Sequence, residues 1–198
     1  SASNQPRLGL RERKKAKTRA ALQEHALRLI REQGYAATTI EQIAEAAEVS
    51  PSTFFRYFPT KEDAVLYDPY DPVFAAAFRA QPPDVSSMQA MRAAMRAVFD
   101  VVPSEEMERV RELLPLILAV PEVRARMLDG LAQTAQLCAA LVAEREGRPV
   151  DDIAVRAFAG AVIGAITAVV LAIADHPEAD IAAQIDTALA LLEAGLPL

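Results

Sequence analysis

The chain has 198 residues, 52% hydrophobic and 24% charged, with 7 Gly and 13 Pro, which fits one globular domain or two small ones and excludes a disordered or collagen-like chain. A single cysteine, Cys138, excludes a disulfide scaffold, and only two His, His25 and His176, leave too few soft ligands for a structural zinc site. The formal net charge of −6 is polarised, because residues 1–66 hold eleven Lys or Arg against eight Asp or Glu, whereas residues 67–198 hold ten against nineteen.

Seven basic residues, Arg7, Arg11, Arg13, Lys14, Lys15, Lys17 and Arg19, face Glu12 alone at the start of the chain. Residues 1–16 are therefore expected as a basic arm, either one that meets a polyanion or a plain solvated tail. This polar start has no apolar stretch of the kind that opens a secretory signal, so a cytoplasmic protein is expected. From Lys17 to Gln33, Ala21, Leu22, Ala26, Leu29 and Ile30 recur at helical spacing, and Gly34 stands where a left-handed cap is wanted. Thr39 with Gln42 forms a capping box for a second helix whose inner stripe is Ile40, Ile43, Ala44 and Ala47. Ser50 followed by Pro51 predicts a third, very short helix to Tyr57, stopped by Pro59. Thr60, with Asp63 at the box position, caps a fourth helix that is expected to continue past Pro69 and Pro72 to Phe74 and Phe78.

Residues 81–87 read as a linker. Beyond it, Met88, Met91, Met95, Val98, Phe99 and Val102 share one helical face, ended by Pro103. Ser104 is the expected cap of a helix through Val110, Leu113 and Leu114 that should kink at Pro115, where a backbone donor is missing. Pro121 opens a helix to about Arg145, with Met127, Leu131, Thr134, Cys138 and Leu141 in line and Gly147 as its stop. Asp151 or Asp152 starts the next, and the last runs from about Asp180 to Ala194, with Ile181, Ile185, Ala188, Leu189 and Leu192 on one side. The plan is all-α, with about nine helices and no period-two stretch that would argue for a sheet.

Eighteen uncharged residues, Ala157 to Ala174, come near the length needed to cross a bilayer. Their Ala and Gly content and the single flanking charges, Arg156 and Asp175, favour instead a helix buried on two sides, and no membrane partner is expected. Gly160 and Gly164 form GxxxG, and Ala161, Ala165, Ala168 and Ala172 extend a small-residue face. Tight packing within one chain and a subunit contact are both open readings of that face.

The segment with functional content is residues 39–58, two short helices joined at Glu48 and Val49 with the spacing of a helix-turn-helix. Ile40, Ile43, Val49, Phe54 and Phe58 can pack on Leu22, Ala26, Leu29 and Ile30, which leaves the third helix exposed. Its first turn would present Ser52, Thr53 and Arg56 to base edges in the major groove, about 12 Å wide. Thr39, Tyr57 and Lys61 would hold phosphates on either side. Thr39, Ser50 and Thr60 are equally ordinary helix caps, and Phe54, Phe55 and Phe58 read first as core. The combination carries the argument.

From Thr18 to Leu66 the chain resembles the DNA-binding domain of TetR-family transcriptional regulators. The resemblance lies in a first helix ending in EQGY, a TTI-x-x-IA-x-x-A second helix, VS at the turn and a T-F-F-x-YF-x-x-KE segment. It implies an all-α homodimer, with residues 17–66 as the helix-turn-helix domain and residues 67–198 as a ligand-binding and dimerisation domain whose last two helices form the subunit contact. It puts Thr39, Tyr57 and Lys61 on phosphates and Ser50, Ser52, Thr53 and Phe55 on the DNA face. SPSTFFRYFPTKED also resembles the actinobacterial subgroup related to the mycofactocin-system regulator, which implies an acyl-CoA-like ligand. Three positions depart from the family pattern: Glu48 stands at a frequent Gly, Ser52 at another, and Phe55 at a frequent Tyr whose hydroxyl bonds a phosphate. A Glu held in the left-handed turn costs about 1 kcal/mol.

The resemblance makes Gly160, Gly164, Ala168, Ile181, Ile185 and Leu189 the expected dimer interface, a four-helix arrangement across a twofold axis. Met91, Met95, Phe99, Leu113, Ile117, Met127, Leu131 and Phe158 are candidates to line an apolar effector pocket, with Arg92 or Arg96 for an anionic head group, although plain core is the simpler reading of any one of them. No Ser/His/acid set, Gly-rich phosphate loop or HExxH occurs, so no enzyme, cofactor or metal is expected. The expected function is a ligand-responsive repressor that binds a palindromic double-stranded DNA operator as a homodimer and is released by a small apolar or acyl-type effector. The alternative is a helical small-molecule-binding or dimerisation protein without sequence-specific DNA binding, which Glu48, Phe55 and the overall negative charge leave open.

Overall fold

The computed structural model describes residues 9–173, 176 and 178–197, apart from the side chains at positions 110 and 117. Of the residues singled out above, Arg7, Ala174 and Asp175 and the side chains of Val110 and Ile117 lie outside the described residues. Among the described residues there are ten α-helices and no strand, and the chain divides into two compact units, Ser1–Tyr67 and Asp68–Leu198.

The first unit holds α1 (Leu10–Gln33), α2 (Ile40–Ala46), α3 (Pro51–Tyr57) and α4 (Lys61–Val65). Leu22 and Ala26 of α1 meet Ile43 and Ala44 of α2, Phe54 and Phe58 at α3, and Ala64 of α4 in one buried cluster, with Leu29, Ile40 and Val49 half-buried around it. Helix α1 begins at Leu10, seven residues before the expected start at Lys17. Residues 10–16, expected as part of an arm, are helical because Leu, Arg, Glu, Lys and Ala all favour a helix and no breaker interrupts them before Gly9.

A second difference follows Leu66. The fourth helix does not continue to Phe78; it ends at Val65, and Phe74 and Phe78 belong to a separate α5 (Asp71–Arg79) in the second unit. Pro69 disfavours helical backbone at Asp68 before it, and the Asp68 carboxylate accepts the Tyr70 N–H at 2.8 Å, an Asx turn that redirects the chain. Pro72 then sits in the first turn of α5, where its missing N–H is no loss. Ten helices replace the expected nine for this reason.

The second unit continues with α6 (Ser87–Phe99), α7 (Ser104–Ala119), α8 (Pro121–Glu146), α9 (Ile153–Ile173) and α10 (Ile181–Glu193). Helix α6 opens on a Ser86–Gln89 capping box. Helix α7 takes Pro103, not Ser104, at its cap position and runs on through Pro115 as one element. Helix α8 packs on α5, α6, α7 and α9, and α10 lies on α6 and α9. Phe78, Met91, Leu114, Leu141, Val162 and Leu189 are among the buried centre of this unit. Leu114, not Leu113, is the residue that α7 buries there; Leu113 is half-buried.

The faces of α9 and α10 correct part of the expected interface. Gly160, Gly164 and Ala168 are exposed, but Ile181, Ile185 and Leu189 are only 5%, 3% and 0% exposed and belong to the chain's own core. The apolar surface that α9 and α10 leave open is lined instead by Ala161, Ala165, Ala168, Ala172, Ala188 and Leu191, around a groove of about 450 Å³. Arg92 and Arg96 are also differently placed. Arg92 makes a two-pronged pair with Asp186 (3.0 and 2.9 Å) and reaches Glu193 at 2.7 Å, while Arg96 meets Asp186 at 2.8 Å. These guanidinium groups join α6 to α10 rather than waiting for an anionic head group, and the Arg92 bonds hold the Asp186 carboxyl below the ordinary carboxylate range.

Truncation of Leu189 to Ala is expected to cost roughly 2–5 kcal/mol in urea unfolding, as for a filled core site. The same change at Leu128, which is 60% exposed, should stay within about 0.5 kcal/mol. A loss under about 1 kcal/mol at Leu189 would place that residue outside the core.

Candidate nucleic-acid interface

The interface is built from the caps inward. The Thr39 hydroxyl accepts the Gln42 N–H at 3.2 Å, and the Gln42 carbonyl oxygen accepts the Thr39 N–H at 2.9 Å, closing the box that starts α2. Gln33, at the end of α1, donates its amide to the same Gln42 oxygen at 2.9 Å, so the two helices share one polar joint.

At the other end of α2 the Val49 N–H returns to the Ala44 carbonyl at 2.9 Å and the Glu48 N–H to the Glu45 carbonyl at 2.9 Å. Glu48 sits at φ 55, in the left-handed region. The turn that glycine usually provides is therefore retained with Glu, at about 1 kcal/mol of steric strain.

Helix α3 starts on Ser50, whose hydroxyl accepts the Thr53 N–H at 3.2 Å and lies 2.8 Å from the Ser52 and 3.0 Å from the Thr53 hydroxyl. Phe54 is fully buried and Phe58 nearly so. With these two rings locked into the core, the remaining positions are fixed by the helical period: Pro51, Ser52, Phe55 and Arg56 are exposed, and Thr53 and Tyr57 half-buried. Phe55 does not join the core that its neighbours form, and its ring is 53% exposed beside the Phe54 ring.

Lys61 is placed differently from expectation. Its ammonium donates to the Tyr35 carbonyl at 2.9 Å and the Thr38 carbonyl at 3.0 Å, and lies 3.9 Å from the centre of the Tyr35 ring. Two of its three donors thus close the loop between α1 and α2 onto α4, a structural role before any phosphate contact. Next to it the Tyr35 hydroxyl donates to the Glu62 carboxylate. Burial pushes the Glu62 carboxyl up, but the bonds from Tyr35, its own backbone and Thr60 and the nearby Lys61 charge outweigh it, and Glu62 titrates below the ordinary carboxylate range.

Two further residues hold this unit together and carry no sequence signal of their own. The Gln23 amide donates to the Tyr67 carbonyl at 2.8 Å, and the Arg19 guanidinium lies 5.8 Å from the Tyr57 ring and 5.6 Å from the Tyr67 ring. The structure therefore brings Ser50, Ser52, Thr53, Phe55, Arg56 and Tyr57 together on one short helix, with Thr39 exposed at the start of α2 and Lys61 turned to backbone carbonyls. Among the described residues no group of three or more His, Cys, Asp or Glu is placed to hold a metal ion.

Known proteins share both the sequence and the architecture of this chain. Residues 22–66 match the family model described as bacterial regulatory proteins, tetR family, and residues 85–197 match that of the MftR C-terminal domain. The HTH-type transcriptional regulator TcmR of Streptomyces glaucescens is 40% identical over 151 residues, 73% of this chain and 67% of that protein. Among solved structures, FadR of Thermus thermophilus, a TetR-family repressor crystallised with lauroyl-CoA, is 25% identical with a TM-score of 0.55, covering 91% of this chain and 95% of that one. The fatty acid degradation regulator FadR of Bacillus halodurans, 21% identical with a TM-score of 0.58 over 90% of this chain and 96% of that one, shares the fold.

The Tyr35–Lys61–Glu62 cluster generates a stability prediction. Lys61→Met should cost about 1–3 kcal/mol, the penalty for leaving acceptors unpaired, in thermal or urea unfolding of the protein without DNA. Because the folded Glu62 value is depressed, its contribution is present above the ordinary carboxylate range and lost as pH falls through the folded value. The difference in stability between wild type and Tyr35→Phe should accordingly be largest near neutral pH and close towards acid. A difference that grew on acidification would contradict this reading of Glu62.

Proposed function

This chain belongs to the TetR family of bacterial transcriptional regulators, and on that premise we propose that it is a homodimeric repressor of a palindromic operator, released by an apolar or acyl-type effector. Regulation, not catalysis, is the family's activity. The observation that carries the operator reading is the division of α3 into a face sealed by Phe54 and Phe58 and a face that leaves Ser52, Phe55 and Arg56 in solvent.

In a major groove Arg56 supplies the donors that pair with guanine, the Ser52 hydroxyl donates or accepts, and Phe55 offers an apolar contact to a thymine methyl. Phe55 lacks the hydroxyl that would bond a phosphate, so Thr39 and Tyr57 are left to hold the backbone on either side of the helix. Two such helices about 34–36 Å apart would meet successive turns of one face of the duplex, hence the palindrome.

Dimerisation is supported by the open face of α9 and α10. Gly160, Gly164 and Ala168 carry almost no side chain, so a second copy of this helix pair approaches closely, and Leu191, 41% exposed, gives the contact apolar area. The helix span Ile153–Ile173 is long and apolar enough to cross a membrane by length and composition alone. Only 22% of that span's most apolar stretch is buried within the chain, and on the subunit reading the remaining surface is covered by a second copy rather than by lipid, in a cytoplasmic protein.

For the effector, Met91 is fully buried and Met95, Phe99 and Phe158 pack half-buried against the same core; Leu113, Met127 and Leu131 are half-buried as well. Unbranched Met side chains repack at low cost around a flexible chain. The likeness of residues 85–197 to the MftR C-terminal domain, and the lauroyl-CoA bound by the Thermus thermophilus relative, support an acyl ligand. Its effect on DNA affinity equals its preference for the conformation that does not bind DNA.

The test is selection of duplexes from a random-sequence pool by the purified protein, followed by titration with lauroyl-CoA. A palindrome bound at least about a thousandfold more tightly than random duplex, by one dimer, is expected. Arg56→Ala should change which bases are preferred while leaving the melting temperature unchanged, and lauroyl-CoA should weaken operator binding. Equal, weak binding of all duplexes would refute operator recognition, and a strictly monomeric protein would refute the assembly.

A further inference from the structure

The first two turns of α1 are an unfavourable place for the charges they carry. Arg11, Arg13, Lys14, Lys15 and Lys17 lie there with Glu12 alone to oppose them, at the end of the helix where the macrodipole is already positive. Arg11 with Lys15 and Arg13 with Lys17 are like-charge pairs four residues apart, each costing a few tenths of a kcal/mol, about 0.2–0.5, in an isolated helix. Three of these cations do not simply disperse into solvent. Arg11, Lys14 and Lys15 line, with Leu10 and with Arg56 and Tyr57 from the last turn of α3, a cleft of about 630 Å³. Among the described residues no carboxylate pairs with Arg11, Lys14, Lys15 or Arg56. The Arg56 guanidinium lies 5.4 Å from the Tyr57 ring, and the two residues together form the α3 edge of this cleft.

Three cations of α1 along one open cleft, contiguous through Arg56 and Tyr57 with the helix that reads bases, match a polyanionic strand with closely spaced charges, and Arg56 itself stays with the bases. We propose that this cleft grips the sugar-phosphate backbone of the duplex that α3 enters, so that the N-terminal turns of α1 form a second, sequence-independent DNA contact. The proposal rests on the operator reading above and adds to it where the backbone runs and which side chains carry the salt dependence. Arg13 and Lys17, equally basic but outside the cleft lining, contribute little. Bound phosphates also relieve the like-charge repulsion within α1, so this helix start is firmer on DNA than off it.

The experiment uses the full chain and the duplex that the wild type recovers from a random-sequence pool. Binding is measured over a range of salt for wild type, for R11Q/K14Q/K15Q, for R13Q/K17Q and for the charge-keeping R11K/K14R/K15R, with circular dichroism to verify that each is folded. Gln keeps helix propensity close to that of Lys and Arg. Removing one cation from a phosphate makes the slope of log affinity against log salt shallower by about 0.9, and a dimer carries two copies of the cleft, so the triple Gln variant should drop by about 5 in slope while keeping the same ranking of operator variants. The charge-keeping triple should retain the wild-type slope, and R13Q/K17Q should drop by under about 1.

A wild type that recovers no preferred duplex overturns operator recognition and this inference with it. A wild type that does recover one, while the triple Gln variant keeps the full slope, overturns this inference alone, as does an equal drop in R13Q/K17Q or a changed base ranking in the triple. Vesicles of phosphatidylglycerol and phosphatidylcholine serve as the competing polyanionic surface. If the triple variant loses vesicle binding but not operator affinity, the cleft faces membranes and the proposal is wrong.

Discussion

Burial of Phe54 and Phe58 is the constraint on which the first unit depends. Helix α3 has seven residues, too short to be stable alone, and it exists because these two rings fill the space that Leu22, Ala26, Ile43 and Ala44 enclose. Small Ala side chains at the crossing let the backbones come close enough for rings of that size to be covered. Once the two Phe residues are anchored, helical geometry leaves no freedom about which side chains face outward. The exposed set on α3 is thus a consequence of core packing, and Ser50 and Pro51 only decide where the helix begins.

Polar clasps then set the angle at which this short helix is presented. Lys61 and Tyr35 fasten α4 to the loop after α1, while Gln33 fastens α1 to the start of α2. The Lys61 and Tyr35 bonds are part-buried and the Gln33 bond is exposed, and in each a directional contact adds geometry that burial alone does not provide. The second unit uses the same device on a larger scale, since Arg92 bridges α6 to Asp186 and Glu193 of α10 over a core that already buries Ile185 and Leu189.

What is legible in the sequence, and what is not, separates by range. Local rules locate the boundaries of α2, α3 and the last helix almost to the residue, because Thr39 with Gln42, Ser50 with Pro51, and Asp180 act on neighbours within one turn. Proline is harder to read. Pro115 lies inside α7, whereas Pro69 with the Asp68 turn divides a helix expected to continue. The inward face of α10 is obscured for a different reason. Apolar residues cover more than half of that helix, and periodicity cannot tell the side facing α6 and α9 from the side left open; only contacts with those helices decide that Ile181, Ile185 and Leu189 point inward. Lys61 and Arg92 escape sequence reasoning because their partners, Tyr35 and Thr38 in one case and Asp186 and Glu193 in the other, are far away in the chain. A cation that meets a carbonyl reads in sequence like one that meets a phosphate. Resemblance to the family points to the site as a set; the individual chemistry of its members depends on neighbours that only the folded chain brings near.

Arg19 shows how tightly α3 and the end of the first unit are held to α1. Its Nε is buried and makes no hydrogen bond among the described residues, an arrangement that costs free energy unless something compensates. The compensation is the pair of aromatic faces, Tyr57 at the end of α3 and Tyr67 at the end of the unit, each within 6 Å of the guanidinium carbon. Tyr67 is further held by Gln23, whose amide uses one donor on the Tyr67 carbonyl. The last residue of the unit is therefore set against Arg19 and Gln23 of α1, and the last turn of α3 against Arg19. Moving Tyr67 away from α1 would strip one face from a guanidinium whose buried nitrogen has no hydrogen-bond acceptor, and the remaining face belongs to Tyr57. The positions of the two rings are coupled through a single cation, which ties the end of the unit to α3 without any element having to unfold.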